Sequence, residues 1–231
     1  MAAITVVGFD ADDTLWHNER VFHLTHARFA DLLAPYADGT DLMARLTAAE
    51  RRNLGHYGFG IKGFVLSMIE TAIEVTDKKV PASVIADLIA AGQDMLRHPI
   101  ELLPQARETV TEVAATHRVI LITKGDLLDQ ERKLAQSGLG DLFHGVEIVS
   151  DKRTDTYAAI FARHGDGAAR GMMVGNSMKS DVVPMVQAGG WGVYVPHDLI
   201  WELERADPPD SPRYRALPDL GHLAGLLRDI G

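Results

Sequence analysis

The second half of the chain alternates between short apolar segments and longer amphipathic segments. The apolar segments predict β-strands at residues 118–123, 145–149, 171–174 and 191–195. The amphipathic segments predict helices at residues 105–116, 127–137, 154–164 and 178–188. Strands separated by helices of this length pair in parallel, because each helical crossover returns the chain to the same end of the sheet. The alternation therefore predicts an α/β fold with helices on both faces of a parallel sheet.

A further strand is predicted near the start of the chain. Residues 4–9 form an apolar run that ends abruptly in carboxylates, which is typical of a buried strand. Residues 19–98 contain no convincing strand, and Phe22, Phe29 and Leu33 recur there at helical spacing. The first strand is expected to join the later sheet, so the helical segment is an insertion.

The domain bounds follow from these patterns. The predicted domains are a sheet domain, residues 1–16 and 100–231, and a helical domain, residues 17–99. The pair His98-Pro99 is expected to end the helical segment, because the residue before a proline rarely adopts the helical conformation. Residues 201–215 are proline-rich and predict irregular structure, and residues 217–230 predict a closing helix.

The composition excludes several classes of protein. The 231 residues include no cysteine, which excludes disulfides, thiolate metal sites and a cysteine nucleophile. A net charge of −9, without a block of lysine or arginine, argues against polymeric nucleic acid as a partner. No run of about 18 apolar residues predicts a membrane span. The apolar start lacks the basic residues of a signal peptide, and we expect a cytoplasmic monomer or homodimer.

Polar residues follow the predicted strands at the points where the strands end. In chain order these residues are Asp10, Asp12, Thr123, Lys152, Asn176 and Asp181. The carboxyl ends of parallel strands meet at one edge of a sheet, and α/β sheets bind ligands there. A single Thr, Asn or Asp after a strand is an ordinary turn or cap residue. Three carboxylates crowded into residues 10–13 are different, because they repel one another unless a cation or proton compensates.

The acidic run fits the requirements of phosphoryl transfer, which include a nucleophile, a cation that offsets charge and a proton donor for the leaving group. Asp10 and Asp12 can supply the nucleophile and the acid separately, since they lie two positions apart where the chain leaves a strand. Mg²⁺ prefers oxygen ligands. Asp10, the backbone carbonyl of Asp12, and Asp181 form a candidate magnesium site, to which Asn176 can add a neutral oxygen.

A phosphate-binding site is predicted beside this metal site. Thr123 offers a hydroxyl, and Lys124-Gly125 open a helix whose free N–H groups favour anions. Lys152 is a compact cation that can neutralise a phosphate oxygen. The expected partner is a small phosphorylated metabolite.

This ordered set of residues resembles the haloacid dehalogenase superfamily. The first motif of that family is an apolar strand followed by Asp-x-Asp-x-Thr, which corresponds to residues 10–14. The second motif, a Thr or Ser that closes a core strand, falls on Thr123, and the third, a lysine, falls on Lys152. The fourth motif, an acidic stretch near a glycine, falls on residues 175–181. Two positions depart from the family pattern, because Asp13 stands where glycine is common and Asn176 where Asp is frequent.

The resemblance implies a Rossmann-like core with an all-helical cap domain inserted after the first motif. It implies an aspartyl-phosphate on Asp10, formed while Asp12 protonates the leaving group and hydrolysed by water that Asp12 activates, with Mg²⁺ required throughout. The second Asp is typical of the phosphatase branch, since the dehalogenases of the family attack carbon and lack it. We therefore predict a magnesium-dependent phosphatase that hydrolyses a small phosphomonoester.

Loops of the cap domain usually select the substrate in capped members of this family. The glycine-rich segment of residues 55–63 is the candidate loop, and Tyr57 and Lys62 are its candidate substrate contacts. An ordinary turn between two helices has the same composition, so both interpretations stay open.

Three other functions are compatible with parts of the pattern. A phosphomutase uses the same aspartyl-phosphate but returns the phosphoryl group to a sugar. A 2-haloacid dehalogenase shares the fold, but Asp12 disfavours it. A phospho-accepting signalling domain also places Asp, Thr and Lys at strand ends, but there the acidic metal pair precedes a separate acceptor on a later strand. The order of residues in this chain differs, which disfavours the signalling domain.

Overall fold

The computed structural model of the chain describes residues 3–37 and 41–230. The chain divides into two compact units. The sheet unit comprises Met1–Glu19, Ile100–Lys124 and Gln130–Gly231, and the helical unit comprises Arg20–Pro99 and Gly125–Asp129. The sequence-based domain bounds at residues 16 and 99 stay a prediction.

Four helices lie between residues 19 and 97 in the part of the chain that the structure describes. They are α1 (Glu19–Leu33), α2 (Leu42–Tyr57), α3 (Ile61–Val75) and α4 (Ala82–Arg97). Their apolar faces share a buried cluster, which includes Phe29, Leu46, Phe64, Met68 and Leu88. A Cβ atom on Gly92 of α4 would lie 2.2 Å from Val65 Cγ2 of α3, so this helix pair packs too closely for a larger residue at position 92.

The glycine-rich segment at residues 55–63 is mostly helical, so the prediction of a loop over its whole length is wrong. α2 continues through Tyr57 and α3 begins at Ile61, which leaves only residues 58–60 between them. Gly58 and Gly60 have φ angles of 72° and 120°, which a residue with a side chain rarely adopts. Two of the glycines therefore make a sharp turn, and the flanking glycines are compatible with the helices that the turn joins.

Six parallel strands form the sheet of the sheet unit, in the order β3-β2-β1-β4-β5-β6. The strands are β1 (Val6–Phe9), β2 (Arg118–Lys124), β3 (Gly145–Val149), β4 (Gly171–Gly175), β5 (Trp191–Tyr194) and β6 (Tyr214–Ala216). All five neighbouring pairs are parallel, which confirms the predicted α/β fold. β1 lies at the centre, between β2 and β4.

The strand β6 was not predicted, because residues 201–215 show no apolar run. This strand pairs in register with β5, with Ala216 opposite Tyr194, and Arg215 lies at its centre. A short strand with a charged residue at the edge of a sheet discourages pairing with further strands. The prediction of irregular structure is therefore wrong at the end of this segment.

The position of β1 brings the ends of three strands together. Phe9 lies opposite Leu121 of β2 and Val174 of β4, so the chain leaves β1 at the same edge at which those strands end. All four residues of β1 are buried, as expected for a central strand of a parallel sheet. The residues that follow the three strands therefore share one edge.

Helices cover both faces of the sheet. The helices that complete the fold are α5 (Ala106–Ala114), α6 (Leu127–Ser137), α7 (Thr154–His164), α8 (Val183–Gln187) and α9 (Leu223–Ile230). Val7 and Phe9 pack in the apolar cluster that contains residues of α5 and α9. Val6, the alternate residue of β1, packs in the cluster that contains Phe161 of α7 and Met185 of α8. Alternation along β1 thus separates the two layers of the core.

Two predicted helices are shorter than expected. The segment of residues 178–188 begins with one π-helical turn at Met178–Val182 and becomes α8 only at Val183. The closing segment of residues 217–230 begins with a 3-10 turn at Leu220–His222 before α9. The π-turn matters for the site, because a π-helical turn re-aims the side chains that it carries. Within residues 3–37 and 41–230, no helix is long and apolar enough to cross a membrane.

We expect Gly8→Ala to destabilise the sheet unit by about 1–3 kcal/mol, because the added methyl group overpacks the core beside β1. Its Cβ would lie 2.9 Å from Ile122 Cδ1 and 3.2 Å from Met173 Sδ. Gly225→Ala in α9 is the matched control, because the nearest atom to its Cβ is 3.9 Å away. Urea unfolding of both variants measures the difference. Equal stability of the two variants would contradict the close packing at Gly8.

Candidate active site

Asp10 lies directly after β1 and is buried. Its backbone N–H donates to the carbonyl of Val174 at 2.9 Å, which continues the pairing of β1 with β4. One carboxylate oxygen, Oδ2, accepts a hydrogen bond of 2.9 Å from the Thr14 hydroxyl. The other, Oδ1, accepts from the ammonium of Lys152. The sheet and two side chains therefore fix the orientation of this carboxylate.

Lys152 joins Asp10 to a second buried carboxylate. Its Nζ also donates to Asp181 Oδ1 at 2.7 Å, and both side chains are almost completely buried. The other oxygen of Asp181 accepts the backbone N–H of Ser177 at 2.9 Å. A Cβ on Gly175 would lie 2.1 Å from Asp181 Oδ2, so this carboxylate fits only because residue 175 is a glycine. The π-turn that carries Asp181 thus directs it back towards the end of β4.

The buried cluster of Asp10, Lys152 and Asp181 holds two carboxylates and one ammonium. Burial and the charge of Asp181 raise the pKa of Asp10 from 3.8 to about 7, although Lys152 opposes this shift. Burial alone would lower the pKa of Lys152, but Asp10 and Asp181 raise it above its usual value. The ammonium therefore stays charged, and the cluster retains excess negative charge when both acids are ionised.

Asp12 has a separate set of hydrogen-bond donors. Its carboxylate accepts from Trp16 Nε1 at 2.7 Å, from Gln130 Nε2 at 2.8 Å and from Lys133 Nζ at 3.0 and 3.1 Å. Lys133 is buried and also donates to the side chain of Asn18 at 2.8 Å. Burial would raise the pKa of Asp12, but Lys133 and the hydrogen bonds outweigh it and lower the pKa. Asp12 is therefore held as a carboxylate.

Asp13 has a structural role that explains its side chain. Its φ angle of 59° is in the left-handed region, which Asp tolerates better than most residues. Its carboxylate accepts the backbone N–H groups of Asn18 and Glu19 at 2.9 and 3.0 Å, at the start of α1. His197 Nε2 lies 3.5 Å from its Oδ1. Asp13 thus satisfies free N–H groups at a helix start, which glycine could not do.

Oxygen atoms converge on Asn176 at the end of β4. The inward atom of the Asn176 amide lies 3.2 Å from Asp10 Oδ2, from the Asp12 carbonyl oxygen and from Thr14 Oγ1. A nitrogen at this position donates to all three oxygens, whereas an amide oxygen at this position completes a set of oxygens that only a cation can hold together. The backbone N–H of Asn176 donates to Thr14 Oγ1 at 3.1 Å. A carboxylate, a carbonyl and an amide that meet at one point form a donor set that suits Mg²⁺. These residues fit the predicted magnesium site.

Asp181, the other predicted ligand, already has a protein donor on each oxygen. Its role at the metal therefore stays a prediction. Among the residues that the structure describes, no group of three or more His, Asp or Glu side chains is arranged to hold an ion. Any magnesium site here depends on backbone and amide oxygens in addition to carboxylates.

The remaining predicted site residues lie in both units. Thr123 is buried at the end of β2. The ammonium of Lys124 donates to Glu204 and to Ser180. Gly125, with a φ angle of 141°, belongs to the helical unit. The phosphate-binding roles of these three residues stay predictions.

Tyr57 and Lys62 lie within the helical unit. Tyr57 ends α2 and is exposed. Lys62 donates to Asp126 Oδ2 of the same unit at 2.8 Å. Their predicted contact with a substrate stays a prediction.

The sequence analysis missed the residues that hold Asp12. Gln130 and Lys133 lie on α6, where they are buried, while Leu127 and Leu128 of the same helix are exposed. Polar residues inside and leucines outside reverse the usual pattern of a surface helix. That reversal is visible only once the buried face is known, so the sequence alone offered no signal for Lys133.

Comparisons with known proteins agree with this geometry. A family model described as haloacid dehalogenase-like hydrolase matches residues 4–189. A crystal structure of a haloacid dehalogenase-like family hydrolase from Xanthomonas campestris is 43% identical, with a TM-score of 0.89, and the match covers 99% of this chain and 92% of that one. No curated protein matches the chain with significant sequence similarity.

Two more distant structures share the fold. The HAD hydrolase YfnB from Bacillus subtilis, solved bound to magnesium, is 15% identical with a TM-score of 0.69, and the match covers 98% of this chain and 99% of that one. An L-2-haloacid dehalogenase from Xanthobacter autotrophicus, with chloropropionic acid covalently bound, is 19% identical with a TM-score of 0.65, over 99% of this chain and 100% of that one. The family model and the structure from Xanthomonas campestris together show that this chain belongs to the haloacid dehalogenase-like hydrolases.

Proposed function

We propose that the protein is a magnesium-dependent phosphatase that hydrolyses a small phosphomonoester through an aspartyl-phosphate on Asp10. One observation carries this proposal. Asp10 and Asp12 follow the same strand, and each has its own donors, Lys152 and Thr14 for Asp10 and Lys133, Gln130 and Trp16 for Asp12. Two carboxylates in different environments suit two different roles.

Asp10 is the proposed nucleophile. Its carboxylate oxygen attacks phosphorus, the bond from phosphorus to the leaving oxygen breaks, and that oxygen receives a proton from Asp12. Water then attacks the phosphorus of the aspartyl-phosphate while Asp12 takes its proton, the bond from phosphorus to the Asp10 oxygen breaks, and inorganic phosphate leaves. Lys152 orients Asp10 through Oδ1, which leaves Oδ2 on the side of Thr14 and Asn176.

Asp12 is in the form that the second step needs. Lys133 holds it as a carboxylate, ready to accept a proton from water. In the first step Asp12 must carry a proton, and the negative charge of a bound phosphate raises its pKa towards that state. The donors of Asp12 therefore set the balance between its two roles.

The oxygens of Asp10, Asp12 and Asn176 would hold the cation. When bound, Mg²⁺ offsets the negative charge of the phosphate and of the carboxylates. The excess negative charge of the buried cluster supports this requirement, because two carboxylates share one ammonium there.

Dehalogenation is a weaker candidate, although structures of dehalogenases share the fold, because attack on carbon needs no proton donor in the place of Asp12. A phosphomutase would use the same two carboxylates, and release of inorganic phosphate from a sugar phosphate distinguishes the two activities. The cytoplasmic location and the metabolite partner stay predictions.

We expect Asp10→Asn to abolish hydrolysis of para-nitrophenyl phosphate, since an amide is not a nucleophile for phosphorus. Asp12→Asn should lower turnover by about 10²–10⁴-fold, the usual contribution of a general acid or base. Asp166→Asn is the matched control, because this exposed carboxylate pairs with Arg170 on the surface, at 2.8 Å. Assays with and without Mg²⁺, combined with thermal unfolding of each variant, separate loss of chemistry from loss of fold. Wild-type turnover by Asp10→Asn would refute the nucleophile.

Lys133→Met should move the pH optimum of turnover upwards. Lys133 lowers the pKa of Asp12, so its removal raises that pKa. Asp12 must be ionised to act as the base, so the acidic limb of the pH–rate profile moves to higher pH. Asp12 must be protonated to act as the acid, so the alkaline limb moves to higher pH as well. Lys79→Met, which alters an exposed lysine of the helical unit, should leave the profile unchanged. An unchanged profile in a folded Lys133→Met protein would contradict the role of Asp12.

Asn176→Asp should tighten Mg²⁺ binding by about tenfold, and Asn176→Ala should weaken it by a similar factor. A tenfold change in affinity corresponds to about 1.4 kcal/mol, which is the scale expected for one ligand. The physical reason is the added or lost ligand charge and oxygen at the convergence point with Asp10. Calorimetric titration of each variant with MgCl₂ measures the affinity without any substrate. Equal affinities in all three proteins would place the cation elsewhere.

A further inference from the structure

The segment between β5 and β6 carries a half-buried carboxylate that the proposed chemistry does not use. Glu204 ends a 3-10 turn, Glu202–Glu204, and its side chain is 14% exposed. Glu202, two positions earlier, has a side chain that is 71% exposed and pairs with Arg205. The same turn therefore presents one glutamate to solvent and turns the other towards the protein.

Three donors surround the carboxylate of Glu204. Lys124 Nζ donates to Oε1 at 2.5 Å, and the hydroxyls of Ser177 and Ser180 donate to Oε2, each at 2.5 Å. Lys124 Nζ also donates to Ser180 Oγ at 2.7 Å, which closes the network. Burial would raise the pKa of Glu204, but Lys124 outweighs it and lowers the pKa. Glu204 is therefore a half-buried carboxylate with a donor on each oxygen.

This network connects two strands that are not neighbours. Lys124 ends β2, whereas Ser177 and Ser180 follow β4. The sheet order places β1 between those strands, and Asp10 follows β1. The side chains around Glu204 therefore span the edge of the sheet at which Asp10 lies. A second contact, from Lys179 Nζ to the carbonyl of Leu203 at 2.8 Å, holds the same turn.

The serines of this network also support Asp181. Ser177 Oγ accepts the backbone N–H of Ser180 at 2.9 Å and thereby caps the π-turn. The backbone N–H of Ser177 donates to Asp181 Oδ2 at 2.9 Å, and Asp181 in turn contacts Lys152. Tyr157 donates its hydroxyl to the carbonyl of Ser180 at 2.9 Å. A shift of either serine would therefore disturb the orientation of Asp181.

We propose that Glu204 is a positioning residue that clamps the ends of β2 and β4 on either side of Asp10. The clamp fixes the π-turn that holds Asp181 and Lys152, and it neutralises the ammonium of Lys124. Lys124 thus serves the architecture of the site through Glu204. The effect on turnover rests on the proposed phosphatase activity, whereas the pairing of Lys124 with Glu204 does not.

The first test measures the clamp without any activity. Limited acetylation of lysines with acetic anhydride, followed by mass spectrometry, should modify Lys124 at least about tenfold faster in Glu204→Gln than in the parent, because the ammonium loses its charged partner. Glu202→Gln is the matched control and should leave the rate at Lys124 unchanged. Equal rates at Lys124 in Glu204→Gln and in the parent would overturn the proposal, whatever reaction the protein catalyses.

The second test measures positioning. On para-nitrophenyl phosphate, Glu204→Gln should lower kcat by about tenfold and change KM by less than about twofold, because misplacement of reacting groups affects the chemical step more than binding. Glu202→Gln should match the parent. A kcat of Glu204→Gln equal to that of the parent would also overturn the proposal. A parent protein inactive on every phosphomonoester would instead refute the proposed function, and the acetylation result would still decide whether the clamp exists.

A charge-balanced variant covers the case in which Glu204→Gln does not fold. The double variant Lys124→Met with Glu204→Gln leaves no unpaired buried charge, so it avoids the penalty of an isolated ammonium. Its kcat should also fall by about tenfold, because the link between β2 and the π-turn is lost. Parental kcat in the folded double variant would overturn the proposal.

Discussion

The ammonium of Lys152 between two buried carboxylates is the interaction on which the site depends. Asp10 comes from β1, Asp181 from the π-turn after β4, and Lys152 from the segment after β3, so one cation ties three parts of the sheet unit to one point. Removal of Lys152 would leave two like charges buried without compensation, which is among the most destabilising changes in a protein interior. Because burial and the charge of Asp181 together outweigh one ammonium, the pKa of Asp10 stays raised, and further positive charge would stabilise its ionised form.

The same balance of burial and charge gives different pKa values to two carboxylates that are two residues apart. Asp10 lies among like charges and has a raised pKa, whereas Asp12 lies against Lys133 and has a lowered one. Environment, and not residue type, therefore distinguishes a nucleophile from a proton shuttle. Asp13, the third carboxylate of the run, is removed from the chemistry because it accepts two backbone N–H groups at the start of α1. The three carboxylates of the acidic run thus lie in three different environments.

The sequence predicts much of this arrangement because local pattern and topology act together. Apolar runs identify β1 to β5, and parallel pairing places their carboxyl ends at one edge, so the proximity of Asp10, Lys152, Asn176 and Asp181 follows without any knowledge of side-chain packing. The roles assigned to these residues stay predictions. The π-turn could not be predicted from the sequence. It places the carboxylate of Asp181 against the backbone of Gly175, and no periodicity in the sequence indicates a contact of this kind.

The charged partners of individual side chains could not be predicted from the sequence. Glu202 and Glu204 are equivalent in the sequence, and only the direction of a short turn makes one of them the partner of Lys124. Lys124 follows Thr123, so its charge was assigned to the phosphate, yet its ammonium lies against Glu204. If Glu204 neutralises Lys124, the positive charge that faces Asp10 comes from Lys152 and, in the proposed mechanism, from Mg²⁺. Fewer lysines are then available to balance a phosphate dianion than lie near the strand ends. The proposed chemistry therefore depends on the cation, and on the oxygen donors around Asn176 that would hold it.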